Sequence, residues 1–176
     1  MDETQPERPR FEIFRGAEAP TLAEAGCMAM EGAPANMFEV MARDASMAES
    51  GGEYVDVPYR RPGMSLTRLW FKSGYPLPLH THDCDCLYYV LAGSIELGDR
   101  TLVAGDGFFV GSEVPYGYSA GPQGAEVLEF RTTESFNIRI KDKPVASWER
   151  TAESMRAAQP RWADEEPPVR RMPEKA

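Results

Sequence analysis

The sequence predicts an all-β fold, an antiparallel sandwich or barrel, for the middle of the chain. Between residues 54 and 140, short runs rich in β-branched and aromatic residues alternate with Gly, Pro and Asp. Two of the separators have the composition of tight turns, Gly98-Asp99-Arg100 and Gly105-Asp106-Gly107. The runs follow one another too closely for the helical crossovers of a parallel sheet. They predict strands at 66–71, 86–91, 94–97, 108–110, 126–130 and 136–140.

The segments on either side of these strands predict other structures. Residues 1–10 are polar and charged, which predicts disorder. Residues 11–50 hold five of the nine methionines and predict an edge strand or short helix, packed against the barrel or a partner subunit. Residues 146–158 predict a helix with Ser147 as its N-cap, and a Pro-rich tail follows. We therefore expect a single domain over 11–145, with its core motifs at 65–140, and a C-terminal helix and tail over 146–176.

Composition and charge exclude several classes of protein. The 176 residues suit one domain, and an apolar content of 42% excludes a wholly disordered chain. No apolar run approaches the roughly 18 residues that span a bilayer. The net charge of −9 repels phosphate backbones and anionic lipids. We expect neither nucleic acid nor membrane as a partner.

The N-terminus and the cysteines indicate a reducing compartment. Residues 1–7 are acidic and lack the basic start and apolar stretch of a secretory signal, so we expect a cytoplasmic protein. The cysteines are odd in number, and a bridge between Cys84 and Cys86 would close a strained ring. Free thiols are therefore expected.

The chain's two histidines are the clearest candidates for chemistry. In an extended strand, residues two apart share a face, so His80 and His82 project together and supply two imidazoles to one metal ion. Cys86 has the same parity, and a thiolate binds zinc or iron strongly. The alternatives are a hydrogen-bonded histidine pair without metal and, for Cys86, a small buried hydrophobic residue.

Residues 74–93 resemble the first motif of the cupin superfamily, which runs Gly, five residues, His-x-His, three or four residues, Glu, six residues, Gly. Gly74, His80, His82 and Gly93 occupy the matching positions. Residues 105–116 resemble part of the second motif. The resemblance covers about residues 65 to 140 and identifies a single-domain cupin of the cupin 2 type with a divergent metal motif. It implies a double-stranded β-helix, or jelly-roll, barrel with an N-terminal extension and a short C-terminal helix.

Two positions depart from the cupin pattern of three histidines and one glutamate. Cys86 stands where the glutamate would be, and Tyr116 stands where the third histidine would be. Certain cupin enzymes, including some dimethylsulfoniopropionate lyases, use tyrosine near or on the metal. The resemblance thus implies a site of His80, His82 and Tyr116, with or without Cys86, in which Tyr116 is a ligand or a general acid or base. Alternatively, Tyr116 is an aromatic wall residue.

The resemblance implies a metal-dependent enzyme that acts on a small organic molecule by lyase, isomerase or oxygenase chemistry. Zinc and iron are the expected ions, and nickel and manganese are the alternatives. The alternative function is a non-catalytic ligand-binding or sensor cupin with a degenerate metal site. Single-barrel cupins are commonly dimers, which implies a homodimer.

The acidic residues Glu126 and Glu129 are expected on the surface, solvated or ion-paired.

Overall fold

A computed structural model describes residues 11–48 and 50–167 of the chain. The strands in this part of the chain are β1 (Met28–Met30), β2 (Glu53–Arg61), β3 (Met64–Phe71), β4 (His80–Thr81), β5 (Cys86–Leu97), β6 (Arg100–Val103), β7 (Gly107–Val110), β8 (Ser119–Arg131) and β9 (Phe136–Ile140). The α-helices are α1 (Leu22–Ala25), α2 (Ala35–Arg43) and α3 (Val145–Trp162). Residues 1–10, predicted to be disordered, and 168–176, the end of the predicted tail, lie outside the described residues.

Two sheets build the barrel. The larger sheet is antiparallel and has the order β2-β3-β8-β5-β6, and β7 pairs with the first residues of β5. The smaller sheet has the order β1-β9-β4, with β1 parallel and β4 antiparallel to β9. Alternate residues of β3 and β5 are buried, so one face of the larger sheet forms the interior. This is the predicted jelly-roll architecture, in which α1 and α2 precede β2 and α3 follows β9.

The strands differ from the prediction where glycine and proline obscure the pattern. The predicted strands 86–91 and 94–97 are one strand, β5, whose register shifts twice around Gly93. Strand β8 begins at Ser119, well before the predicted 126, because it runs through Gly121 and Pro122. Strand β2 was not predicted. Its Pro58 sits at a β-bulge, where proline does not interrupt the ladder.

The C-terminal helix is longer than predicted, and its N-cap is a different residue. Helix α3 is preceded by Pro144 in an extended conformation, so Ser147 lies in the first turn rather than at the cap. The helix was predicted to end at 158, but it continues through Pro160 to Trp162. The last turn is held by Trp162, whose indole Nε1 donates a hydrogen bond to the Ser73 carbonyl oxygen at 2.8 Å. None of the helices in the described part of the chain has the length and apolar character needed to cross a membrane.

The methionine-rich N-terminal segment packs against its own barrel. It forms α1, β1 and α2, which include both an edge strand and short helices, and β1 extends the smaller sheet. A line of side chains from this segment closes over the barrel interior: Met28, Met30, Met37, Met41 and Met47. The segment therefore packs against the barrel, the first of the two predicted alternatives, and its methionines line a cavity there, which was not predicted.

Gly93 and Gly98 offer a matched test of the barrel's backbone. Both have a left-handed conformation, with φ of 70° and 64°. A Cβ at Gly93 would lie 2.0 Å from the Gly124 carbonyl oxygen, whereas a Cβ at Gly98 would meet nothing within 4 Å. We expect Gly98→Ala to lower the free energy of unfolding by about 1 kcal/mol, from backbone strain alone. Gly93→Ala should lower it by about 3 kcal/mol or more, because overpacking is added. Urea denaturation measures both, and equal losses would contradict this account.

Candidate functional site

The interior face of the larger sheet carries a layer of polar side chains. They form two rows across neighbouring strands, Thr67–Glu129–Tyr88 and Ser65–Arg131–Cys86. All six side chains are buried. Burying polar groups is unfavourable unless they are hydrogen-bonded, and clusters of this kind concentrate at functional sites. The layer therefore marks this end of the barrel interior as a candidate site.

His80 and His82 reach the same interior space from the smaller sheet. Both line one cavity together with Glu129 and Arg131. The imidazole rings project to the same side, as the parity of the two positions predicts, with ring centres 4.9 Å apart and planes at 80°. The backbone N–H of His80 donates to the Tyr116 carbonyl oxygen at 2.9 Å, and the Tyr116 N–H donates to the His80 carbonyl oxygen at 3.0 Å.

Backbone carbonyl groups fix the tautomer of both histidines. The Nδ1 atom of His80 lies 2.8 Å from the Pro78 carbonyl oxygen, and that of His82 is hydrogen-bonded to the Asn137 carbonyl oxygen. A carbonyl oxygen only accepts, so each Nδ1 carries the proton and donates it. The lone pair then resides on Nε2 in both rings, which is the arrangement typical of metal-binding histidines.

Burial keeps both imidazoles uncharged at neutral pH. It lowers the pKa of His80 from its ordinary value to about 4, against the opposing hydrogen bond to Pro78. Burial also lowers the pKa of His82, and the positive charge of Arg131 acts in the same direction. Neutral imidazole is the form that binds a metal ion or accepts a proton.

Tyr116 packs directly against the histidine pair. Its ring centre lies 4.3 Å from that of His80 and 6.2 Å from that of His82. Its hydroxyl is hydrogen-bonded to the hydroxyl of Tyr88. The Tyr88 ring in turn stacks on the Phe108 ring, with ring centres 4.4 Å apart. Burial and the charge of Glu129 raise the pKa of Tyr116 above its ordinary value. The residue is therefore a neutral phenol whose hydroxyl keeps its proton and is able to donate a hydrogen bond.

Cys86 lies inside the barrel, beside Cys84 and Arg131. Its thiol is 3.8 Å from the Cys84 carbonyl oxygen, and Arg131 faces it across the strand pair. A hydrogen bond from the Cys84 thiol lowers the pKa of Cys86, and the Arg131 charge assists. The same pairing raises the pKa of Cys84. Ligation of a metal by Cys86 remains a prediction.

The sequence did not reveal Glu129 and Arg131 as members of the site. Both are buried, and the two form an ion pair, so the expected surface position is wrong for Glu129. Thr67 completes the group by donating to Glu129 at 3.0 Å and accepting from Arg131 at 2.8 Å. The expected surface position is wrong for Glu126 as well, which is buried on the outer face of the sheet beside Arg68. Alternation along β8 indicated which residues share a face with Glu129, but not that this face is interior.

The site occupies one end of a cavity of about 230 Å³. The polar end is formed by the histidines with Thr67, Glu129 and Arg131, and Phe136 closes it. The rest of the lining is largely apolar and comes from both sheets, the methionine-rich segment and α3. A cavity of this size, with a few converging polar groups, is typical of a small-molecule site.

The two histidines fit the requirements of a shared metal ion. Two imidazole nitrogens roughly 2.0–2.1 Å from one zinc ion place their ring centres about 5 Å apart at near-tetrahedral angles. The observed separation of 4.9 Å agrees with this. Within residues 11–48 and 50–167, no group of three His, Cys, Asp or Glu side chains is arranged to hold a metal ion. Tyr116, whose phenol belongs to none of these types, is the neighbouring candidate for a third ligand.

The lowered pKa of His80 predicts a loss of stability in acid. The pKa of His80 is about 4 in the folded state and near 6.5 in the unfolded state. Between these pH values His80 is protonated in the unfolded chain but not in the folded chain. We expect the free energy of unfolding of metal-free protein to fall by up to about 3 kcal/mol through this window from His80 alone, and to level off below it. Urea denaturation at several pH values should show a shallower dependence for His80→Gln. An unchanged slope in that variant would contradict the assignment.

No protein-family model and no curated protein matches this sequence. Among solved structures, the chain is similar to an RmlC-like cupin from Shewanella frigidimarina, at 25% identity and a TM-score of 0.44 over 47% of this chain and 78% of that one. KdgF from a Halomonas species is 24% identical, with a TM-score of 0.42 and coverage of 46% and 79%. The polyketide cyclase RemF from Streptomyces resistomycificus is 19% identical, with a TM-score of 0.48 and coverage of 63% and 83%. The chain has a jelly-roll fold of two facing sheets, and its His-x-His motif between spaced glycines resembles the first cupin motif.

Proposed function

We propose that the protein is a metal-dependent cupin enzyme that acts on a small organic molecule inside the barrel. The observation that carries the proposal is the histidine pair: two buried imidazoles present unprotonated Nε2 atoms at the polar end of an otherwise apolar cavity. Its free thiols, Cys27, Cys84 and Cys86, suit the reducing cytoplasm that we propose as its location.

His80 and His82 would hold the divalent ion, either zinc or iron, with nickel and manganese as alternatives. Bound there, the ion supplies Lewis-acid polarisation of a carbonyl or carboxylate oxygen and, if it is iron, oxygenase chemistry. The carbonyl groups of Pro78 and Asn137 keep both rings oriented toward the cavity. The apolar lining excludes water and strengthens electrostatic interactions at the polar end.

Tyr116 would act as the proton donor or as a third ligand. Its phenol keeps its proton in the buried site, and Tyr88 fixes the position of its hydroxyl. Proton donation by a positioned phenol suits lyase and isomerase chemistry, in which charge develops on a substrate oxygen or carbon. Cys86 would join the ligand set only by turning from the Cys84 carbonyl toward the histidines.

Arg131 favours the alternative, a non-catalytic cupin that binds or senses a small ligand. Its guanidinium lines the same cavity, and its positive charge lowers the pKa of His82. Arg131 also opposes a second cation at Nε2, although its ion pair with Glu129 offsets much of that repulsion. With the glutamate and third histidine of the family pattern replaced, this arrangement would be a degenerate metal site.

Metal content distinguishes the two functions. We expect the protein, purified without a histidine tag and dialysed, to retain about one divalent ion per chain by elemental analysis. The His80→Ala/His82→Ala variant should retain none, with a circular dichroism spectrum that reports its fold. His82→Gln, which preserves side-chain volume better, repeats the test if the double variant unfolds. Equal, substoichiometric metal in all three would falsify the enzyme as proposed.

We also propose a homodimer formed through the outer face of the larger sheet. Four apolar side chains lie side by side there, each 39–63% exposed: Phe109, Leu87, Phe130 and Tyr89. Side chains of this size present roughly 150–250 Å² when exposed, so the four leave about 400 Å² of apolar surface uncovered. That is most of the apolar part of a standard interface of roughly 800 Å² per partner. A second copy related by a two-fold axis would cover it.

Light scattering tests this interface. We expect the protein to be a dimer at micromolar concentration and Phe109→Lys to shift it to monomer, because the new charge would be buried without a partner. Val145→Lys, which adds the same charge at the exposed start of α3, should leave the dimer intact. A monomeric wild-type protein, or equal effects of the two substitutions, would contradict the proposed surface.

A further inference from the structure

We infer that the ligand of the cavity is a hydroxylated aromatic compound of about two fused rings, with its hydroxyl group at the histidine end. The inference deepens the proposed small-molecule site and rests on it, but it does not require a bound metal ion. It follows from three properties of the cavity: the chemistry of its walls, its volume and the hydrogen-bonding character of its polar end.

The walls of the cavity favour a flat, polarisable ligand. Six methionines line it: Met28, Met30, Met37, Met41, Met47 and Met155. Thioether side chains adapt their shape and make favourable contacts with aromatic rings. The aromatic residues Phe71, Phe136 and Trp148 line the same space. A ring system would contact these sulfur and aromatic surfaces as well as the aliphatic side chains that complete the wall.

The volume sets the size of the ligand. A purely apolar cavity of roughly 150 Å³ is large enough to bind benzene. The cavity of about 230 Å³ exceeds this by approximately one further fused ring.

The polar end selects a hydroxyl group over a carboxylate or an ether. The Nε2 atoms of His80 and His82 carry lone pairs, so they accept a hydrogen bond and need a donor from the ligand. The charge of the Arg131 guanidinium is paired with Glu129, although its Nε–H has no hydrogen-bond partner among the described residues. A carboxylate buried here in metal-free protein would therefore lack a counterion, which is strongly unfavourable.

Binding of naphthalene derivatives to EDTA-treated protein tests the inference by calorimetry. We expect 2-naphthol to bind at least tenfold more tightly than 2-methoxynaphthalene, which has no hydroxyl donor, and than 2-naphthoate, which is anionic. Met41→Trp fills part of the cavity from α2 and should weaken 2-naphthol binding at least tenfold. Met64→Trp adds the same side chain at an exposed position outside the cavity and should leave binding unchanged.

Met47→Trp repeats the cavity-filling test if Met41→Trp does not fold. Binding of 2-naphthol no tighter than that of the ether or the carboxylate would overturn the inference, as would full affinity in the folded cavity-filling variants. Because metal is absent from these measurements, they fail independently of the metal analysis. Retained naphthol binding without any metal affinity would refute the metal site and support the ligand class. Metal binding without naphthol binding would do the opposite.

Discussion

The hydrogen bonds from two imidazoles to backbone carbonyl oxygens are the interactions on which this site depends. They fix the tautomer and the ring orientation of His80 and His82 together, and one of the accepting carbonyls, that of Asn137, belongs to strand β9. Two hydrogen bonds with Asp83 position Asn137. The backbone N–H of each residue donates to the side-chain oxygen of the other at 3.0 Å. Strand β4 has only two residues, so these contacts, rather than a long ladder, hold the histidines in place.

The buried polar layer opposite the histidines is unfavourable for stability, and the fold compensates it incompletely. Glu129, Arg131 and Thr67 bond to one another, but the Arg131 Nε–H and the Ser65 hydroxyl are buried without a hydrogen-bond partner among the described residues. Unpaired buried polar groups cost roughly 1–3 kcal/mol each. A barrel of this size has no structural need for such a layer, since aliphatic residues would pack the interior more favourably. Its presence is therefore best explained by what the interior binds.

Much of the fold followed from the sequence because the strands and turns carry local signals. The hairpin at Gly98 and the alternation along β5 predicted real elements, and the parity of His80 and His82 placed both rings on one side. The bulged strand β2 and the start of β8 were not predicted, because proline and glycine, which normally break strands, lie there at irregular positions. The C-terminal end of α3 was not predicted, because the hydrogen bond between Trp162 and Ser73 joins residues that are distant in sequence.

The candidate site was predictable only in part, for a related reason. A motif with fixed spacing identifies His80, His82 and Tyr116, whereas Glu129 and Arg131 join them through the pairing of β8 with β3 and β5. Such pairing is set by tertiary contacts between distant segments. The same is true of the methionines, whose sequence clustering suggested packing but not that they enclose a cavity.

The protonation state of the two histidines tests the central claim most directly, and a chain with two histidines gives a simple spectrum. Long-range ¹H–¹⁵N correlation spectra at neutral pH report which ring nitrogen carries the proton. The structure predicts Nδ1–H and an unprotonated Nε2 in both residues, with the Nε2 signals shifting when zinc is added. Nε2–H tautomers, or Nε2 signals that ignore the metal ion, would contradict it.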